Sequence, residues 1–221
     1  VIGYENKLSA IFRYKFRGKH HLSFLLQSLT IHGYSMSLQA TWHEQPAPGD
    51  ETEGVSIIDV NPFGPNGEKD RRLLISNDGE PLLILQLYIR ADEDGWLISS
   101  AFSGFLLNES HVAIICGDHF HVFDLTTHTF RSHPLGDYVG HLYSVPDIHS
   151  DRLQDRVLVT TYCHVYLMDI AAGILWKSGQ CAIDGVIVTS IENDTVLGEG
   201  EWDPPGGWES FKLDLKTGTL I

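Results

Sequence analysis

Two histidines one residue apart, His119-Phe-His121, are the first place in this chain where side chains could do chemistry. On a strand that spacing puts both imidazoles on one face, where neutral rings can share a Zn²⁺ or Fe²⁺ ion. A metal site built this way also needs a carboxylate and a third histidine further on. The next ones in the chain are Asp124 and His128, and neither offset fits. His119 and His121 are therefore incomplete metal candidates, and the reading assigns no metal and no cofactor.

Other chemistries are less well served. There is no Gly-x-Ser-x-Gly elbow and no cysteine beside an evident histidine partner. Ser103-Gly104 and Ser178-Gly179 are turn dipeptides. No phosphate-cradling glycine loop occurs. Asp92-Glu-Asp-Gly95 starts like a calcium loop but lacks the later ligands, so it reads as a turn. These absences lean the reading away from an enzyme.

The segment 198–209, Gly-Glu-Gly-Glu-Trp-Asp-Pro-Pro-Gly-Gly-Trp-Glu, is richer. Two indoles beside carboxylates, on a loop stiffened by prolines, suit capture of a basic or aromatic surface. Trp202, Asp203, Trp208 and Glu209, then Glu199 and Glu201, are the expected contact residues. The competing reading makes Trp202 and Trp208 core residues that close a seam.

The elements that must carry these residues are set by a repeat. Residues 112–124, Val-Ala-Ile-Ile-Cys-Gly-Asp-His-Phe-His-Val-Phe-Asp, align without a gap on 157–169, Val-Leu-Val-Thr-Thr-Tyr-Cys-His-Val-Tyr-Leu-Met-Asp. His119 falls on His164 and Asp124 on Asp169. A third copy ends at Asp214, so the three aspartates stand 45 residues apart and 45 again. Copies are clearest at 111–135, 156–180 and 195–221. Each gives a strand, a tight turn, a second strand ending in Asp, a further turn and a third strand. Asp124, Asp169 and Asp214 read as structural turn residues, accepting backbone N–H bonds two residues on, with positive φ supplied shortly after. Extra residues between Val196 and Asp214 interrupt the third copy.

At these residues the chain resembles the WD-repeat and quinoprotein-like β-propeller families. Met168-Asp-Ile-Ala-Ala-Gly-Ile-Leu-Trp176 is similar to the Asp…Gly…Trp end of a quinoprotein-type repeat with its spacing loosened. Gly140-His141, upstream of Met168-Asp169, is similar to the Gly-His to Trp-Asp frame of a WD blade, with His141 as a structural histidine. Trp-Asp itself is absent, being Phe-Asp, Met-Asp and Leu-Asp at the blade ends. The resemblance covers about half the chain, 111–221, and implies an all-β fold: one small propeller domain over 1–221. At about 45 residues per blade the length gives roughly five blades, degenerate or incomplete, with a β-sandwich as the alternative.

The first half shows no copies. Residues 1–19 alternate apolar and basic side chains, a strand with one wet face. Residues 22–29 fit a strand better than a short helix, the other reading, and 34–42 reads as a strand, as do 55–60, 72–76, 81–89, 96–102 and 105–107. Residues 44–54 and 61–70 are loops by composition, and Asn77-Asp-Gly79 is a hairpin signal. No long amphipathic helix is visible.

Charge narrows the partners. Fifteen basic and 29 acidic residues give a net charge of −14. Residues 1–43 carry five basic residues against Glu5, net +4, which leaves −18 on the rest. Such a surface repels phosphate backbones and attracts basic proteins. No apolar run approaches the roughly 20 residues of a membrane helix. No secretory signal is visible at Val1, and three cysteines without a Cys-x-x-Cys pair fit a reducing cytoplasm. The leading expectation is thus a non-catalytic, cytoplasmic protein that binds a basic protein partner, in concrete form a bacterial toxin-neutralising (immunity) protein, with no nucleic acid and no membrane involved. The alternatives are a propeller enzyme or small-ligand or metal binder using the central mouth, and a scaffold subunit of a larger assembly.

Overall fold

The structure, a computed structural model, describes residues 28–31, 34–43, 54–203 and 205–221. The strand expected over 1–19, most of that expected at 22–29 and most of the loop expected at 44–54 lie outside these residues. The described residues form sixteen strands in four sheets, with one 3₁₀ turn at Gly64–Asn66 and no α-helix. No helix among them is long and apolar enough to cross a membrane.

The first sheet contains β1 (Ser28–Ile31), β2 (Tyr34–His43), β3 (Ser56–Val60), β4 (Glu68–Asn77) and β5 (Glu80–Ile89). Its order is β1-β2-β4-β5-β3, and β3 runs parallel to β5. The Asn77-Asp78-Gly79 signal makes the β4–β5 hairpin as expected, with Asp78 and Gly79 both at positive φ. β4 begins at Glu68, inside the segment expected to be loop.

The repeat builds the other three sheets, here called blades. Blade 1 is the antiparallel meander β6 (Gly104–Leu107), β7 (His111–Cys116), β8 (His119–Asp124) and β9 (Thr129–Pro134). Blade 2 is β10 (Val139–Val145), β11 (Arg156–Thr161), β12 (Val165–Asp169) and β13 (Gly173–Lys177). Blade 3 is β14 (Val186–Glu192), β15 (Thr195–Glu201) and β16 (Trp208–Asp214), with a bridge from Leu213 to Leu220 starting a fourth strand. Four sheets are described where the length implied about five.

One expected strand is corrected. Residues 96–102 are irregular apart from a bridge between Ala91 and Leu97. The Trp96 N–H goes to Asp92 Oδ1 at 2.8 Å and the Ser99 N–H turns back to Leu97 O at 2.9 Å, so no ladder is available.

The three aspartates do the same thing three times. Asp124 Oδ1 accepts the N–H groups of Thr126 and Thr127 at 2.7 and 2.9 Å. Asp169 Oδ1 accepts those of Ala171 and Ala172, both at 2.9 Å. Asp214 Oδ1 accepts those of Lys216 and Thr217 at 2.9 and 2.8 Å. Four residues after each aspartate the backbone turns left-handed, at His128, Gly173 and Gly218, with φ of 54°, 88° and 71°. The residue after each aspartate ties the turn to the previous loop: Leu125 to Ser110 O, Ile170 to Asp155 O and Leu215 to Asp194 O, at 2.8, 2.9 and 2.8 Å.

Alternation along the strands buries both faces of the inner sheets. Phe123, Val112 and Ile114 pack on Leu73, Ile75, Leu85 and Leu87 of the first sheet. Phe120, Ala113 and Ile115 pack on Val157, Val159 and Met168 of blade 2. Leu158, Val165 and Leu167 pack on Val188, Val196 and Leu213 of blade 3. Each fully buried side chain of this size contributes ~1.5–3 kcal/mol. The sheets therefore stack face to face in chain order, and this series of like-built blades fixes where the connecting loops emerge.

Candidate functional site

At one end of the stack, each blade's middle hairpin meets the connection that enters its first strand and the one that leaves its last. The loops are laced by backbone bonds. Leu135 and Val139 donate to Asp118 O and Gly117 O, both at 2.9 Å. Tyr162 donates to Tyr138 O at 3.0 Å, Gly185 to Tyr162 O at 2.9 Å, and Ile183 to Glu201 O at 2.9 Å. Arg90 joins the first sheet to this rim by donating to buried Asp118 at 2.8 Å. Residues 90–103, 117–118, 135–139, 162–164, 178–185, 201–203 and 205–207 thus form one continuous rim.

The rim exposes large apolar side chains beside carboxylates. Trp96 is 75% exposed, Ile183 45%, Trp202 38% and Tyr138 36%. Asp92, Glu93, Asp94, Asp137, Asp184, Glu201 and Asp203 lie among them, and among the described residues no ion pair reaches any of the seven. At the opposite end three carboxylates are paired. There Lys216 pairs with Asp194 at 2.6 Å, Arg152 with Glu109, and Arg156 with Asp169 at 3.8 Å.

The predicted contact residues lie on the β15–β16 hairpin of blade 3. The interruption in the third copy is a six-residue connection, 202–207, where blade 1 has two residues, 117–118. Trp202 and Asp203 are exposed at its tip, and Glu201 Oε1 holds it by accepting the Gly206 N–H at 2.6 Å. Trp208 is half-buried, close enough to Gly185 that a Cβ there would stand 3.3 Å from the indole. One indole is thus free and the other packed. Glu209 is exposed and Glu199 half-buried, both further down the hairpin. Sequence reasoning missed Trp96, Tyr138, Tyr162, Ile183, Asp137 and Asp184. Tyr138 and Ile183 are 45 residues apart, so the repeat carried a signal for that pair.

His119 and His121 sit between blade 1 and the first sheet, and the Nδ1 atom of each has a partner. His119 Nδ1 meets Asp118 Oδ1 at 2.5 Å, and His121 Nδ1 meets Ser132 Oγ at 2.7 Å. The two rings stack 5.8 Å apart. Burial works to raise the Asp118 carboxyl, but hydrogen bonds from His119 and Arg90 outweigh it and hold it below its usual value. Burial, with His119 beside it, pushes His121 down to about 3. Its Nε2 is buried without a hydrogen-bond partner. Among the described residues, no three His, Cys, Asp or Glu side chains are arranged to hold a metal ion. His164 closes the same hairpin in blade 2 that His119 closes in blade 1: Thr161 donates to its carbonyl at 2.8 Å, as Cys116 pairs with His119.

A small hollow of about 170 Å³ at the opposite end is lined by His111, Val122, Asp124, Thr129, Phe130 and Arg131. Ser110 Oγ stands 2.9 Å from His111 Nδ1, while His111 Nε2 is 3.9 Å from Asp124 Oδ2. That last distance is too long for a hydrogen bond, and the Ser110 hydroxyl donates to Asn108 Oδ1 at 3.2 Å, so no nucleophile relay is formed. Cys116 is buried and donates to Asp70 Oδ2 at 3.2 Å, and burial raises its thiol further, which makes it inert.

No protein-family model matches this chain, and no curated protein does. Among solved structures it is similar to the WD40 domain of Neurospora crassa Pan2, at 14% identity and a TM-score of 0.43. The match covers 68% of this chain and 45% of that one. The all-β fold and the repeated antiparallel meanders expected from the repeat are what the sheets display.

Proposed function

We propose that this chain is a non-catalytic protein-binding module whose rim holds a basic partner. One observation carries the reading: the rim's exposed aromatic and aliphatic side chains lie among seven carboxylates that no described ion pair reaches, while at the other end Glu109, Asp169 and Asp194 are paired. Apolar anchors supply contact area, and unpaired charge of one sign speeds and selects association with the other. The tip formed by Trp202 and Asp203, with Glu201, Trp208, Glu209 and Glu199 behind it, is the leading contact. In its concrete form the partner is a toxin with a basic, nucleic-acid-attacking surface, which this rim would cover.

Photo-crosslinkers placed at Trp202, Tyr138 and, as a control, Thr126 test this in cells of the native source. The expected result is one basic partner captured from the two rim positions and not from Thr126, its affinity falling as salt rises. Loss of the partner's nuclease activity on binding would support the toxin form. A partner captured only from Thr126, or one that is acidic, overturns the reading.

A further inference from the structure

A run of rings descends from the rim along the first strand of blade 2. Tyr138 and Tyr162 have centroids 5.5 Å apart, inclined at 37°. Tyr162 meets Phe102 edge-on at 6.4 Å and 82°. Phe102 lies 4.9 Å from His141, and His141 lies 6.0 Å from Tyr143. The run passes from exposed Tyr138 to half-buried Tyr162 and Phe102 beside β10, whose neighbours in the stack are the first strands of the blades on either side.

Two carboxylates stand at its outer end. Asp137 is fixed: Oδ1 accepts the Tyr138 N–H at 2.8 Å and Oδ2 the Cys163 N–H at 2.9 Å. Asp184 is exposed and adjoins Gly185, whose N–H is bound to Tyr162 O at 2.9 Å. Both negative charges bear on the Tyr162 hydroxyl. The Tyr162 backbone is thus tied to the two loops that bear these acids. Rings kept only for packing would be covered, yet Tyr138 keeps 36% of its surface open.

Ring faces attract cations, and a carboxylate beside them adds a directed acceptor. A guanidinium suits both at once, because it is planar enough to stack on a tyrosine and can still donate at its edge, whereas an ammonium is a strongly hydrated point charge. We infer that Tyr138, Tyr162 and Phe102, with Asp137 and Asp184, receive an arginine side chain of the partner. This rests on the rim-binding reading and gives it a specific anchor beside the Trp202 tip, since the Asp184 N–H donates to Glu201 O at 3.3 Å.

The test is an NMR titration of the full chain with N-acetyl-arginine-amide, set beside its neutral isostere N-acetyl-citrulline-amide and N-acetyl-lysine-amide. The arginine probe should perturb the Tyr138, Tyr162 and Phe102 rings in a saturable way, with citrulline weaker by a factor of about five and lysine by about three. Asp184→Asn should weaken arginine by about threefold, and Tyr162→Leu should abolish its effect. Tyr138→Leu serves as a second ring variant should Tyr162→Leu disturb the fold. Equal response to arginine and citrulline, a preference for lysine, or insensitivity to Asp184→Asn overturns the inference. If the probe fails while Trp202 still crosslinks a basic partner, the arginine site alone falls. If the probe binds and no partner is captured at the rim, the rim-binding reading falls and the arginine site stands.

Discussion

The indole N–H of Trp176 in blade 2 donates to the carbonyl of Leu215 in blade 3 at 2.9 Å. One blade earlier, the guanidinium of Arg131 donates to the carbonyls of Ile170 and Ala171. Arg131 and Trp176 each stand seven residues after a turn aspartate, and Ile170 and Leu215 each stand one after. Beneath the latch lies the left-handed residue of the next turn: Gly173 under the His133 ring and Gly218 under the Trp176 ring. The repeat therefore encodes the contact between blades as well as the blade itself.

Gly218→Ala should be costly. Its φ is +71°, and a Cβ would stand 2.5 Å from Trp176 Cε3. Strain and the displaced indole together should remove about 2 kcal/mol, a fall in Tm of about 4–8 °C. Trp176→Phe keeps a ring but leaves Leu215 O without its donor, and should cost about 1 kcal/mol. Thermal unfolding that ranks Trp176→Phe as the more damaging change would contradict this account of the latch.

His128 fills the position that glycine fills in the other two turns, at a φ of 54°. It keeps a stacked contact with Phe123, centroids 6.2 Å apart, but pays conformationally for a side chain there. His128→Gly should be neutral or raise stability by up to about 1 kcal/mol, and His128→Val should lower it by about 1–2 kcal/mol. The comparison needs only their denaturant midpoints, and a stable valine variant would show that this turn does not depend on left-handed geometry.

The repeat was legible because Asp124, Asp169 and Asp214 each impose the same local bonds, and local bonds survive in sequence as fixed spacing. The first sheet was not, because β3 joins it parallel to β5 through pairing that no hairpin rule encodes. Residues 96–102 showed apolar character, but Asp92 captures the Trp96 N–H and the segment becomes part of the rim. Asp118 sits between Gly117 and His119 as a turn residue should, and only the packing of Arg90 and His119 around it makes it a buried carboxylate. The tip at Trp202 and Asp203 was visible from composition. The other rim residues Tyr138, Tyr162, Ile183 and Trp96 come from four separate loops, which only the stacking of blades brings to one end.

Acid should weaken the fold in two stages. The buried His121 ring stays neutral down to a pKa of about 3, whereas an unfolded histidine takes its proton near 6.5. Between those values the unfolded chain binds more protons, so His121's contribution is fully present above pH 6.5 and is lost as pH falls toward 3. The slope from this group can reach ~1.4 kcal/mol per pH unit. His133, lowered by burial, acts in the same direction. Asp124, Asp169 and Asp214 are held below their usual values by N–H and hydroxyl donors of their turns, so their contribution goes only below about pH 4. Denaturation of the double variant His121→Phe/Ser132→Ala should therefore show a flatter profile between about pH 4 and 6.5 than the parent. An unchanged slope there would mean that His121 does not carry it.

The six residues 202–207 can be removed without disturbing the ladder, because Glu201 and Trp208 already face each other across β15 and β16. Cys116 and His119 do the same around a two-residue turn in blade 1. Replacing 202–207 by Asn-Gly, a favoured two-residue hairpin, should leave stability within about 1 kcal/mol of the parent, since shortening the loop reduces its closure entropy only modestly. It removes Trp202 and Asp203 and the backbone that Glu201 holds, yet spares the aromatic run at Tyr138 and Tyr162. Partner affinity should fall by about tenfold or more if the exposed indole is a central anchor, with most of the change in the dissociation rate. Trp202→Ala alone should account for the larger part, and Asp203→Asn should chiefly reduce the association rate and its dependence on salt. A shortened chain that folds and binds its partner unchanged would move the contact away from this tip and onto the rest of the rim.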